Sequence, residues 1–187
     1  MQPSNTLDYP CGITVIDTHY YREELAASHL IVENGKAAFV DVGAAPSLPY
    51  LLHALEEKQL TPEDVEFIIL THIHLDHAGG AGTLMQACPK ATLIVHPRGS
   101  IHMVNPEKLV RATIDIYGQE RFDQLYREIV PVPQERVIAA EDGATIDFQG
   151  RQLHFFDTPG HAKHHFCVWE ASWQAPVSYP HHHSSGL

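Results

Sequence analysis

"VEFIILTHIHLDHAGG", residues 65–80, is the stretch that decides the fold. Val65 to Leu70 is apolar but for Glu66 and does not alternate, as suits a strand covered on both faces. Three histidines and an aspartate then crowd into the six positions from His72 to His77. Two readings compete: metal ligands, or a wet loop rich in histidine. Packing so many titratable groups into one turn is unfavourable unless something pairs them, which favours metal. His72 and His74 are two apart, so on an extended segment their side chains point the same way. Asp76 and His77 lie past the bend and can turn toward a second position nearby. Gly79 and Gly80 let the backbone fold back tightly into the next helix. One strand–loop–helix can thus supply parts of two adjacent metal positions.

Working outward, the pattern on both sides is α/β. Strands are expected near 13–18, 27–33 and 36–42, the last two joined by an Asn34-Gly35 turn. Leu48, Leu51, Leu52 and Leu55 have helical spacing, with Glu56 to Lys58 toward water. After Gly80 a short helix runs up to Pro89, and "ATLIVHP" is a further strand. Residues 98–128 read as helical pieces broken around Asn105-Pro106 and at Gly118. Residues 136–161 read as strand, hairpin, strand, with turns at Asp142-Gly143 and Gln149-Gly150, and "HHFCVWEA" as a last strand. One domain is expected over 1–170, followed by an irregular or foreign tail at 171–187. In that tail, His181 to His183 resemble an expression-tag fragment.

Bulk composition narrows the function. The 187 residues carry 23 acidic and 12 basic side chains, a formal net charge of −11. So acidic a surface repels phosphate backbones, and no Lys/Arg run offsets it, so nucleic acid is not an expected partner. No apolar run approaches the ~20 residues that span a bilayer, so no membrane is expected. "MQPSNTLDYPCG" lacks the marks of a secretory signal, and three scattered cysteines suggest no disulfide frame. The expectation is a cytoplasmic protein acting on a small molecule.

"THIHLDHAGG" resembles the signature of the metallo-β-lactamase superfamily, which includes glyoxalase II and lactonases beside the lactamases. "FVDVG", Phe39 to Gly43, and "DTPGH", Asp157 to His161, match its upstream and downstream elements, in order. The resemblance covers roughly residues 10 to 170. It implies an αββα four-layer sandwich and a site of one or two zinc ions, with iron or manganese as alternatives. It implies that His72, His74 and His161 hold the first metal and that Asp76 and His77 belong to the second. Asp41 would be a supporting residue and not a ligand; His164 and His165 would line the site. The family also carries an aspartate in a "GD" step that bridges the metals, and a late histidine. This chain has no aspartate after Asp157, and its later histidines are His164, His165 and the tail triplet.

The reading is therefore a family member lacking most of its C-terminal half, with a weak or empty second site. Incomplete sheet packing would expose apolar surface and favour homo-oligomers. The reaction implied is metal-assisted hydrolysis of an ester, thioester, lactone or amide, with Asp76 catalytic, orienting the nucleophile and accepting its proton. The alternatives are a mononuclear iron enzyme resembling the sulfur dioxygenases, and an inactive metal-binding module. Ser100 lacks the strand–turn–helix context of a nucleophile and is expected to be structural. Ile114, Ile116, Tyr117, Phe122, Leu125 and Tyr126 are expected mainly to pack helices, in a segment lying over the active face.

Overall fold

The computed structural model describes residues 6–171. Apart from Ala171, the expected tail lies outside the described residues.

Seven strands form the first sheet in chain order: β1 (Thr6–Tyr9), β2 (Ile13–Asp17), β3 (Ala27–Glu33), β4 (Lys36–Val40), β5 (Val65–Leu70), β6 (Thr92–Val95) and β7 (Val137–Ala139). The first four pair antiparallel; from β4 onward the pairing is parallel, because α1 (Leu48–Glu57) and the helices after β5 and β6 carry the chain back each time. A second, antiparallel sheet has the order β10 (Phe166–Trp169), β9 (Arg151–Asp157), β8 (Thr145–Phe148). The two sheets face each other through Ile31, Val40, Phe67 and Ile69 on one side and Phe148, Leu153, Phe155 and Phe166 on the other.

This stacking explains the missing alternation in β5. Val65, Ile68 and Leu70 enter the core against α1, α3 (Ala81–Ala87) and α4 (Pro97–Val104), while Phe67 and Ile69 enter the core between the sheets. Both faces exclude water, and each such side chain contributes about 1.5–3 kcal/mol by leaving it. Helices, first sheet and second sheet supply three of the four expected layers; the described residues hold no helix on the outer face of the second sheet. There Phe156 and Trp169 are exposed.

The middle segment breaks where the sequence marks it: α4 ends before Asn105, α5 covers Glu107–Tyr117, and Gly118, at φ 80°, turns the chain into α6 (Gln119–Leu125). Its apolar residues divide. Phe122 and Tyr126 bury against Ala44, Leu75 and Ile129, with Ile114 and Leu125 beside them, whereas Ile116 and Tyr117 stay exposed. Ser100 is structural, its hydroxyl donating to the Pro97 carbonyl, but the residue that caps α4 is His96, whose Nδ1 accepts from the Arg98 amide.

Two local readings need correction. β1 has no counterpart among the expected strands; it is an exposed edge strand, which needs no apolar alternation. The turn at Gln149-Gly150 does close the β8–β9 hairpin, but Asp142-Gly143 carries the chain from the first sheet to the second.

Candidate metal centre

β5 delivers the histidine loop to the rim of the sheet, and α2 (Leu75–Ala78) begins directly after His74. Gly79 and Gly80 both have ordinary right-handed backbone, so the close turn does not use their φ freedom. Their role is clearance: a Cβ on Gly80 would sit 2.8 Å from the Ala44 carbonyl oxygen, and one on Gly79 2.5 Å from that of Leu75. That close approach lets the Gly80 amide donate to Gly43 and the Val42 amide to His77, zipping the segment after β4 onto the loop. From the second sheet the Phe166 amide donates to the Thr71 carbonyl, which brings the Asp157–His161 turn alongside.

Asp41 organises the buried side. It adopts φ 55°, a left-handed backbone that aspartate tolerates better than most residues. Its carboxylate accepts from the Thr71 amide at 2.8 Å, the Thr71 hydroxyl at 2.8 Å and His77 Nδ1 at 2.9 Å. The Thr71 hydroxyl has one proton, and Asp41 takes it. The hydroxyl therefore accepts from His72 Nδ1, 3.0 Å away. This chain fixes the His72 tautomer and leaves a lone pair on Nε2. That atom is buried and has no hydrogen-bond partner among the described residues. His161 Nε2 and His74 Nδ1 lie 3.0 Å apart, and ligand atoms of His72, His74 and His161 all fall within 4.8 Å of one another. Zinc–nitrogen bonds of about 2.0–2.1 Å set a tetrahedral edge near ~3.3 Å, so the three rings can share one ion after small rotations. A buried acceptor without a donor, aimed at two more imidazoles, fits a cation.

Asp41, His72 and His77 also converge within 4.8 Å. Asp41's oxygens already accept from Thr71 and His77. His77 turns its other nitrogen, Nε2, toward Asp76 at 3.5 Å. The residues expected at the second position therefore do lie together, His77 buried and Asp76 partly exposed.

The electrostatics follow. Burial, then His77, push the His72 pKa down to about 2. Burial and His161 lower that of His74. These imidazoles stay neutral, the state in which they ligate metal. Burial also works against a charge on His77, but the Asp41 and Asp76 carboxylates outweigh it and hold its pKa above the ordinary imidazole value. Asp41 is pulled below the carboxylate range: His77, His72 and Thr71 together outweigh its burial. His164, lowered to about 4 by burial and His74, and His165, lowered chiefly by burial, complete a ring of six imidazoles. The Thr158 hydroxyl anchors His165 Nδ1 at 2.7 Å. Sequence reasoning missed Thr71, which at the end of a strand looks like any β-branched residue, and the contact of His96 Nε2 with the Asp157 carboxylate at 3.3 Å.

The comparisons agree with this architecture. The profile of the metallo-beta-lactamase superfamily matches residues 22–172. The chain belongs to that superfamily. A hydroxyacylglutathione hydrolase of Klebsiella pneumoniae is 30% identical over 138 residues, covering 73% of this chain and 39% of the relative. A metallo-beta-lactamase fold-containing protein of Sulfurisphaera tokodaii is 27% identical over 110 residues, 57% of this chain and 41% of its own. Among solved structures, a metallo-beta-lactamase of Cronobacter sakazakii superposes with a TM-score of 0.65 at 22% identity, covering 89% of this chain and 57% of that one. A subclass B3 enzyme from a soil metagenome gives 0.67 at 20%, covering 90% and 58%. The chain thus spans about two fifths of the length of these curated relatives. No helix among the described residues is long and apolar enough to cross a membrane.

Proposed function

We propose that this chain carries the metal-binding half of an acyl hydrolase, acting on a thioester, ester, lactone or amide. The supporting observation is the stranded, buried Nε2 of His72 facing His74 and His161. His72, His74 and His161 would hold a zinc ion, with iron or manganese as chemically acceptable substitutes. Asp76 and His77 would offer a weaker second position. Bound there, the ion would supply a Lewis acid for the scissile carbonyl and a water of lowered pKa.

The protein's own contributions are specific. Thr71 fixes the His72 ring with its Nε2 lone pair toward the cluster, and Asp41 accepts from His77 Nδ1, which turns Nε2 of that ring toward Asp76. Asp76, partly exposed beside His77, would orient a water and take its proton. Leu75, Phe122 and Tyr126 wall one side against solvent. The similarity to a hydroxyacylglutathione hydrolase favours an acyl–sulfur substrate over the other acyl classes.

The test pairs metal analysis of the purified chain with a panel of thioesters, esters, lactones and β-lactams. One ion per chain is expected, lost in His72→Ala, with hydrolysis abolished by a chelator and restored by zinc. A chain that takes up none of zinc, iron or manganese would overturn the reading. Metal uptake without turnover on any substrate would leave a binding module.

A further inference from the structure

Outside the histidine cluster, the described residues form a half-open cavity of about 270 Å³. It lies between the loop after β2 and helix α6, and its polar lining comprises His19, Tyr20, Tyr21, Ser47, Arg121 and Gln124. No carboxylate lines it, although the chain carries a net charge of −11. Arg121 enters no ion pair recorded among the described residues. Its guanidinium stacks on the Tyr21 ring, 4.7 Å from the centroid. Stacking occupies the flat face of the group and leaves its in-plane N–H donors to the side. One of them reaches Gln124 Oε1 at 3.4 Å, a long contact that a stronger acceptor displaces. His19 is held in place by stacking on Tyr50, and the Ser47 hydroxyl donates to the Thr18 carbonyl, so Arg121 is the cavity's strong donor.

The cavity adjoins the histidine loop. The Tyr20 phenol bonds that of Tyr126 at 2.7 Å. Tyr20 and Ala44 line the cavity, and both pack with Leu75, just past His74, and with Tyr126, so the cavity wall is continuous with the histidine loop.

We propose that this cavity is the subsite for a carboxylate of the substrate, recognised by Arg121. The link to a substrate rests on the acyl-hydrolase reading; the site itself does not. The acyl group to be cleaved would lie at the histidine cluster, and the carboxylate would extend past Tyr20 to Arg121. Substrates would then be small acyl compounds with an anionic tail, and neutral ones would bind poorly.

The test is an NMR titration of the full chain with glutarate and with uncharged glutaramide, run as purified and again after a chelator. Glutarate should shift the amides of residues 19–21 and 119–125 and the Arg121 side chain, with and without metal. Arg121→Gln should weaken glutarate binding about tenfold, as expected for loss of a charge-assisted hydrogen bond, while Arg121→Lys keeps part of it. Equal affinity for glutarate and glutaramide, an unchanged Arg121→Gln variant, or shifts confined to the histidine cluster would overturn the subsite. Because the chelated arm needs no metal, failure of the hydrolase reading and failure of the subsite give different results.

Discussion

Replacing Asp41 by asparagine tests how the second rank of residues prepares the first. The substitution keeps size and shape but turns one acceptor oxygen into a donor. The Thr71 amide, 2.8 Å away, requires an acceptor, so the remaining oxygen must stay there. The new NH₂ group then faces the Thr71 hydroxyl and His77 Nδ1. To avoid two opposed donors, His77 must accept at Nδ1 and move its proton to Nε2, the atom turned toward Asp76. The Thr71 hydroxyl loses its 2.8 Å acceptor and keeps only the longer 3.1 Å contact to the remaining oxygen, which loosens the arrangement that makes it receive from His72. The His77 ring is pushed toward the wrong tautomer for a cation at Nε2, and the hold on the His72 ring is weakened. Loss of such an outer partner weakens metal binding by about 10–100-fold, or ~1.4–2.7 kcal/mol. The assay is competition for zinc against a chromophoric chelator at fixed pH, with circular dichroism showing that the variant is folded. An affinity within about threefold of the parent would refute the tautomer argument. A loss far beyond 100-fold would make Asp41 a ligand and not an orienter.

Three more outcomes follow from the same geometry. The metal-free chain should lose stability as pH falls below about 6.5. His72, with its native pKa near 2, stays neutral in the fold while the unfolded chain takes up the proton, so the unfolding free energy falls by up to ~1.4 kcal/mol per pH unit for this residue. His164 adds to the effect less strongly, being half-exposed. His77, with its pKa raised, acts oppositely, and its contribution is lost only as pH rises through that raised value. Urea titrations from pH 4 to 7 read the slope, and a flat profile would defeat the assignment. Gly82→Ala should destabilise by about 1–3 kcal/mol, because its Cβ meets the Val130 carbonyl in a packed core; an unchanged urea midpoint would show that α3 can retreat. Arg136→Met should cost about 2–3 kcal/mol by stripping donors from the Met85, Cys88 and Ala91 carbonyls, with the urea midpoint again the measure.

Much of this protein is legible one residue at a time. The continuous apolar run of β5 announces burial on both faces, and the breaks at Asn105-Pro106 and Gly118 fall where the helices end. The spacing from His72 to His77 announces a cluster of imidazoles and a carboxylate, which the structure brings together. Where the reading failed, local pattern was silent or ambiguous. Asp142-Gly143 and Gln149-Gly150 carry the same turn chemistry, yet one closes a hairpin and the other changes sheets. The difference lies in which strands the flanking residues find as partners. Gly79 and Gly80 announced a tight fold-back, but only the structure shows that they achieve it by leaving room for a neighbouring backbone.

The sequence by itself determined the class of elements, the order of the motifs and the kinds of donor atom available. Those follow from short-range properties: side-chain period, turn preference and ligand chemistry. Only the tertiary structure decided that His161 reaches His74 across 87 positions, that Thr71 relays Asp41 to His72, and that Arg121 comes to rest beside Tyr21. Each of these depends on the second sheet closing over the first and on α6 folding back onto the histidine loop. Contacts of that kind arise when distant apolar faces bury together, and no local pattern encodes them.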